Sequence, residues 1–195
     1  LGNSVGRNDR FLAGTDEDRA RDLVDMFSDD SIRAIFTARG GYGSSRTLPL
    51  IDWSKIRANP KPFIGFSDTT ALQLALYQKA GVVSLTGIAF SSDVAEGPPL
   101  KVIEEDLVRV LGSGEFEPVS GLSRAPALSG TLVGGCLSLV SHLVGTPYLP
   151  ELDGHILMLE DVGESPYRID RLLTQLVASP IVAPDPSLLC PGYVM

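Results

Sequence analysis

Residues that build metal and redox sites are scarce in this chain of 195 residues, which has 2 cysteines and 2 histidines. Cys136 and Cys190 lie far apart, and neither has a neighbouring Cys or His ligand. That pattern fits neither a zinc site nor a disulfide framework, and no metal and no cofactor are expected. Positive charge is also short: 16 Lys and Arg stand against 24 Asp and Glu, for a net charge of −8. Nucleic acid is excluded as a partner, because its phosphates require a basic patch. The arginines are scattered, so there is no polybasic membrane segment. No apolar run approaches a membrane span, and the first residues lack the apolar core of a signal peptide. A cytoplasmic protein without a membrane partner is the expectation.

With 44% apolar residues the chain can build a real core, as one large domain or two small ones. Thr15 followed by Asp16, Glu17 and Asp18 reads as a helix start, and Ala20, Leu23, Val24 and Phe27 then share one face. Residues 32–38 read as a short strand ending in Arg39-Gly40-Gly41-Tyr42-Gly43-Ser44. A second strand, Phe63–Phe66, leads directly into a helix closed by Lys79 and Gly81, and residues 82–85 read as a third strand. Strands alternating with helices predict a parallel, doubly wound α/β sheet. A further helix carries Val102, Ile103, Leu107, Val110 and Leu111. The expected division is an N-terminal α/β domain over 1–112, a Gly/Ser/Pro-rich linker over 113–129, and part of a smaller α/β domain over 130–195. In the last of these, Gly134-Gly135 is expected to open a helix, and residues 156–159 read as a strand running into Glu160-Asp161. The opening lacks a strand, and the end is irregular around Pro180, Pro184, Pro186 and Pro191, so a chain truncated at both ends is expected.

The most informative stretch is Gly65-Phe66-Ser67-Asp68-Thr69, where an apolar strand meets a helix. A tight corner there displays a serine hydroxyl, and the helix that follows aims its first N–H groups at negative charge forming nearby. The same serine would also make a good helix N-cap, although Asp68 and Thr69 are equally suited to that task. The Arg39–Ser44 loop also follows a strand, where α/β sheets bind ligands. Its Gly40-Gly41 pair could supply oxyanion donors, cradle a phosphate or simply turn the chain. Glu160, at the end of an apolar strand, is the candidate acid, with Asp161 and Glu164 as competitors. His142 lies within a helix, and His155 stands about 16 Å from Glu160 along an extended strand. Neither is placed as a base.

Five segments occur in order: Leu12-Ala13-Gly14-Thr15-Asp16, Arg39-Gly40-Gly41-Tyr42-Gly43, Ile64-Gly65-Phe66-Ser67-Asp68-Thr69-Thr70, Gly145-Thr146-Pro147-Tyr148 and Leu157-Met158-Leu159-Glu160-Asp161-Val162-Gly163-Glu164. Together with Tyr167-Arg168-Ile169-Asp170-Arg171, they resemble the LD-carboxypeptidase family from about Leu12 to about Leu176. That family comprises cytoplasmic serine peptidases of peptidoglycan recycling, related to the microcin-immunity peptidases. The resemblance implies a flavodoxin-like N-terminal domain bearing a nucleophile and a second domain bearing the Glu and His of a triad. By motif, Ser67 becomes the nucleophile, Glu160 the acid that orients a histidine, and the N–H groups of Gly41 and Asp68 the oxyanion donors, with Gly40 beside them. It further implies metal-free hydrolysis of the bond to a terminal D-alanine in muropeptides, and a homodimer.

Three departures stand out. Thr86-Gly87-Ile88 replaces a common His-Gly-Pro, and Gly134-Gly135-Cys136-Leu137 replaces Gly-Gly-Asn-Leu. The family's catalytic histidine has no counterpart, because the resemblance stops near Val177 and no histidine follows. A weakly active or inactive chain is therefore expected. The alternatives are a non-catalytic muropeptide- or peptide-binding homologue, and a flavodoxin-like phosphate or nucleotide binder using the Arg39–Ser44 loop.

Overall fold

The computed structural model describes residues 1–87, 91, 100–114 and 129–181. The proline-rich tail, Cys190, Ile88 and most of the stretch read as a linker lie outside these residues. Helix α1 (Asp16–Ser28) starts as its sequence predicts. The Thr15 hydroxyl accepts the Asp18 N–H at 3.1 Å, and Ala20, Val24 and Phe27 are buried. Then follow β1 (Ile35–Phe36), α2 (Ser44–Thr47), α3 (Trp53–Ala58), β2 (Phe63–Gly65), α4 (Thr70–Ala80) and β3 (Ser84–Thr86). A single 3-10 turn, Ser67–Thr69, joins β2 to α4.

The three strands form one parallel sheet in the order β1-β2-β3, with Ile35 opposite Phe63 and Ile64 opposite Leu85. They are shorter than the apolar runs suggest. The Ile35 N–H bonds the Pro62 carbonyl and the Thr37 N–H that of Ile64, so the ladder lasts only as long as β2, which the corner at Gly65 ends. At β3, the Val82 N–H instead closes the end of α4 by bonding the Leu76 carbonyl, which delays the strand to Ser84.

Helix α5 (Leu100–Ser113) extends past Gly112, into the stretch read as linker. Beyond the undescribed residues come β4 (Thr131–Cys136), α6 (Leu137–His142), β5 (His155–Glu160) and α7 (Pro166–Ala178). Strands β4 and β5 pair in parallel from Thr131 opposite His155 to Cys136 opposite Glu160. Gly134 and Gly135 therefore belong to a strand and do not open a helix, contrary to the sequence reading. The reason is crowding. Gly134 and Gly135 have φ of 146° and 137°. A Cβ on Gly134 would fall 1.8 Å from the Met158 carbonyl oxygen, and one on Gly135 2.7 Å from the Thr70 side chain. Only glycine allows both approaches.

Helix α4 links the two sheets, packing on β2 and β3 of the first and on β4 and α6 of the second. The buried apolar side chains form one cluster running from Phe27, Ile56 and Phe63 through Leu76 to Val133, Val140 and Leu176. A buried hydrogen bond crosses this junction, the Cys136 N–H donating to Thr70 Oγ1 at 3.1 Å. Thr70 is fully buried. Changing Thr70→Val keeps the volume but removes the acceptor. An orphaned buried N–H costs about 1–3 kcal/mol, and urea unfolding should show that loss with the slope unchanged. No measurable loss would mean the junction does not rely on this bond.

Candidate active site

Ser67 sits at the corner in a left-handed backbone conformation, φ 59°, which non-glycine residues rarely adopt. Such a conformation costs on the order of 1–3 kcal/mol and persists only where neighbouring structure enforces it. Two glycines clear the space. A Cβ on Gly65 would fall 2.3 Å from Thr69 Oγ1, and one on Gly40 would fall 2.8 Å from Ser67 Cβ. The Thr69 hydroxyl fills the gap above Gly65 and donates to the Phe66 carbonyl at 2.9 Å, closing the corner. This explains locally why the motif is Gly-x-Ser-x-Thr. The threonine's own hydrogen bond tightens the turn, and the glycine two residues before the serine makes room for it. Ser67 does not cap α4, and its hydroxyl has no hydrogen-bond partner among the described residues.

Asp68 is buried. Its carboxylate accepts the Ser44 N–H at 2.8 Å, capping α2 and tying the glycine loop to the serine corner. The loop is fastened on its far side too. Asp16 pairs with Arg46 at 2.7 Å and also with Arg19, whose guanidinium donates to the Gly43 carbonyl at 3.3 Å. The Arg46 hydrogen bond is the main cause holding the Asp16 carboxyl below its ordinary pKa. The result places Gly40 directly against Ser67 at the C-terminal edge of the first sheet. The Gly41 N–H has no acceptor among the described residues. The Asp68 N–H belongs to the first turn before α4, where donors have no helical partner.

Glu160 reaches this region through register. It pairs with Cys136, whose N–H is bonded to Thr70, the first residue of α4. Its carboxylate is half-buried, and the Oε1 atom is buried with no hydrogen-bond partner among the described residues. Burial first, and the neighbouring Asp161 second, push its pKa above the ordinary 4.5. The two competing acids are occupied elsewhere. Asp161 Oδ2 accepts the Ser138 N–H at 3.0 Å at the start of α6, and its other oxygen accepts the Val162 N–H. Glu164 pairs with Arg168 at 2.7 Å. Cys136 is a buried free thiol whose pKa is raised chiefly by burial, which keeps it protonated and unreactive.

The histidines stand apart from these groups. His142 is exposed at the end of α6. His155 begins β5, at the opposite end of the strand from Glu160, with Nε2 3.3 Å from the Tyr77 hydroxyl and Nδ1 3.0 Å from the Asp153 carbonyl oxygen. The pattern of sequence motifs gave no sign of Thr70 as the link to β4. A threonine opening a helix reads as an ordinary first-turn residue.

Residues 1–87 match the LD-carboxypeptidase N-terminal domain, and residues 129–183 match the LD-carboxypeptidase C-terminal domain. The chain belongs to the LD-carboxypeptidase family. It is 38% identical over 181 residues to a protein of Bacillus subtilis named a probable murein peptide carboxypeptidase, covering 90% of this chain and 57% of that protein. It is 37% identical over 195 residues to the murein tetrapeptide carboxypeptidase of Pseudomonas aeruginosa, covering 92% of this chain and 62% of the relative. The fold superposes on the crystal structure of muramoyltetrapeptide carboxypeptidase from Oxalobacter formigenes with a TM-score of 0.81 at 35% identity, covering 90% and 61% of the two chains. The chain thus spans about three-fifths of the length of these LD-carboxypeptidases.

The raised pKa of Glu160 has a consequence for stability. As pH rises from 4.5, the unfolded chain releases this proton before the folded chain does, so folding stability falls across that window. Glu160→Gln cannot ionise and escapes the loss. Urea unfolding at a series of pH values should find Glu160→Gln more stable than the parent near neutrality, with the gap closing in acid. A gap independent of pH, or one that widens on acidification, would contradict the burial argument.

Proposed function

We propose that the protein is a serine peptidase of LD-carboxypeptidase type, cleaving the bond between an L-centre and a terminal D-alanine in muropeptides. The observation that carries this reading is the left-handed Ser67 pressed against Gly40, with its hydroxyl free among the described residues. Strain of that kind marks functional corners. In the proposed reaction Ser67 Oγ attacks the scissile carbonyl carbon and loses its proton to a base. Charge gathers on the carbonyl oxygen, where the Gly41 and Asp68 N–H groups would stabilise it. Collapse breaks the C–N bond, the D-alanine amine takes the proton, and water then hydrolyses the acyl-serine. The buried Oε1 of Glu160, unpartnered among the described residues, is suited to accept an imidazole N–H and orient that base.

Neither His142 nor His155 is placed to be the base. The reading therefore requires an imidazole from outside these 195 residues. Two proteins test it: the chain alone, and the chain joined to the part of the Bacillus subtilis relative that lies outside the match. The joined protein should release D-alanine from muramoyl tetrapeptide. Ser67→Ala should lower turnover by about 10⁴–10⁶ and Glu160→Ala by somewhat less, as removal of triad members does elsewhere, while Glu164→Ala should change it little. The chain alone should release no more than its Ser67→Ala variant. Ser67-dependent hydrolysis by the chain alone would place the base among its own residues. Binding of tetrapeptide without turnover in the joined protein would favour a non-catalytic peptide-binding homologue.

A further inference from the structure

We infer that Arg39 recognises the free C-terminal carboxylate of the peptide, an inference that rests on the proposed reaction at Ser67. A carboxypeptidase substrate carries its carboxylate on the residue that leaves. Ordinary bond lengths put that group within about 4 Å of the scissile carbon. Whatever holds it must lie within one side chain of Ser67.

Arg39 belongs to the loop that packs against Ser67. Its guanidinium folds over Gly41, so that an atom at the Gly41 Cβ position would lie 3.1 Å from Nη2 and 3.5 Å from Nε. Gly40, the next link, touches Ser67. Arg39 is exposed, its Nε makes one long hydrogen bond of 3.4 Å to the Gly40 carbonyl, and it has no carboxylate partner among the described residues. The neighbouring cations are already committed, since Arg19 and Arg46 both pair with Asp16.

Charge balance makes a cation necessary on this side. Glu160, opposite Cys136 at the end of β5, and Asp161 after it add negative charge at the end of the second sheet linked to Thr70, and the chain as a whole carries −8. A carboxylate-ended peptide entering such a site is repelled unless a positive group meets its terminus. Arginine is the suitable residue, because its planar fork can give a carboxylate two parallel hydrogen bonds. Glycine at 41 leaves the guanidinium room to lie flat above the loop.

The test uses the chain joined to the part of the Bacillus subtilis relative that lies outside the match, carrying Ser67→Ala, and two probes, muramoyl tetrapeptide ending in D-alanine and the same peptide ending in D-alanine amide. Calorimetric titration should find the free acid bound about tenfold more tightly, a difference of about 1.4 kcal/mol. Adding Arg39→Gln should erase that preference while leaving affinity for the amide unchanged, which also shows that the variant is folded. Arg39→Lys should retain part of the preference, as a point charge without the fork. If acid and amide bind equally, or if Arg39→Gln keeps the preference, the role of Arg39 falls and the reading of Ser67 stands. If neither peptide binds, the peptidase reading itself fails and takes this inference with it.

Discussion

Ser67 is held in a backbone conformation that its side chain disfavours, φ 59°, and most of the local structure is arranged around that fact. The glycines at 65 and 40 exist as space for Thr69 and Ser67. The Thr69 hydroxyl closes the turn on Phe66, and the buried Asp68 carboxylate pins the glycine loop through Ser44. Each contact fixes the serine relative to the loop rather than stabilising the fold in general. A corner costing on the order of 1–3 kcal/mol needs such support, and here it comes from residues adjacent in the motif itself.

The second constraint is the junction across α4. One sheet carries the serine corner and the glycine loop, and the other carries Glu160. Their relative position depends on the close approach of Gly135 to Thr70, which tolerates no side chain and is sealed by the bond from the Cys136 N–H to Thr70, while Gly134 lets β4 lie against Met158 of β5. The register of β4 and β5 then carries the position of Cys136 over to Glu160. The orphaned carboxylate oxygen follows from this placement. It has been taken out of water without a donor among the described residues, and the pKa of the carboxyl rises, chiefly through burial. Asp161, next to it, has the donors that Glu160 lacks and serves as the helix cap.

Much of this was legible in the residues. Alternating apolar runs and capping signals announced the parallel α/β order, and Thr15 and Gly81 marked helix ends where they fall. Strand lengths were not legible, because a ladder extends only as far as its partner, and β2 is cut short by its own corner. Strand β4 was missed outright. A run of Thr131-Leu132-Val133-Gly134-Gly135-Cys136 carries two glycines that usually weaken a strand, and the reason for them lies on Met158 and Thr70, remote in sequence. At the site, the motif marked Ser67 but not its strained φ. The choice among Glu160, Asp161 and Glu164 needed the partners that only the folded chain supplies. Arg39 looked like the start of a turn until its guanidinium was seen over Gly41.

The central claim is that the Ser67 hydroxyl and the N–H groups of Gly41 and Asp68 converge on one point. A crystal structure of the chain with a peptide boronic acid tests it without requiring turnover, because boron accepts the serine oxygen and mimics the tetrahedral carbon. The expected result is a boronate bonded to Ser67 Oγ with one oxygen about 2.7–3.1 Å from both N–H groups. A boronate attached elsewhere, or one on Ser67 whose oxygens all point away from Gly41 and Asp68, would contradict the account.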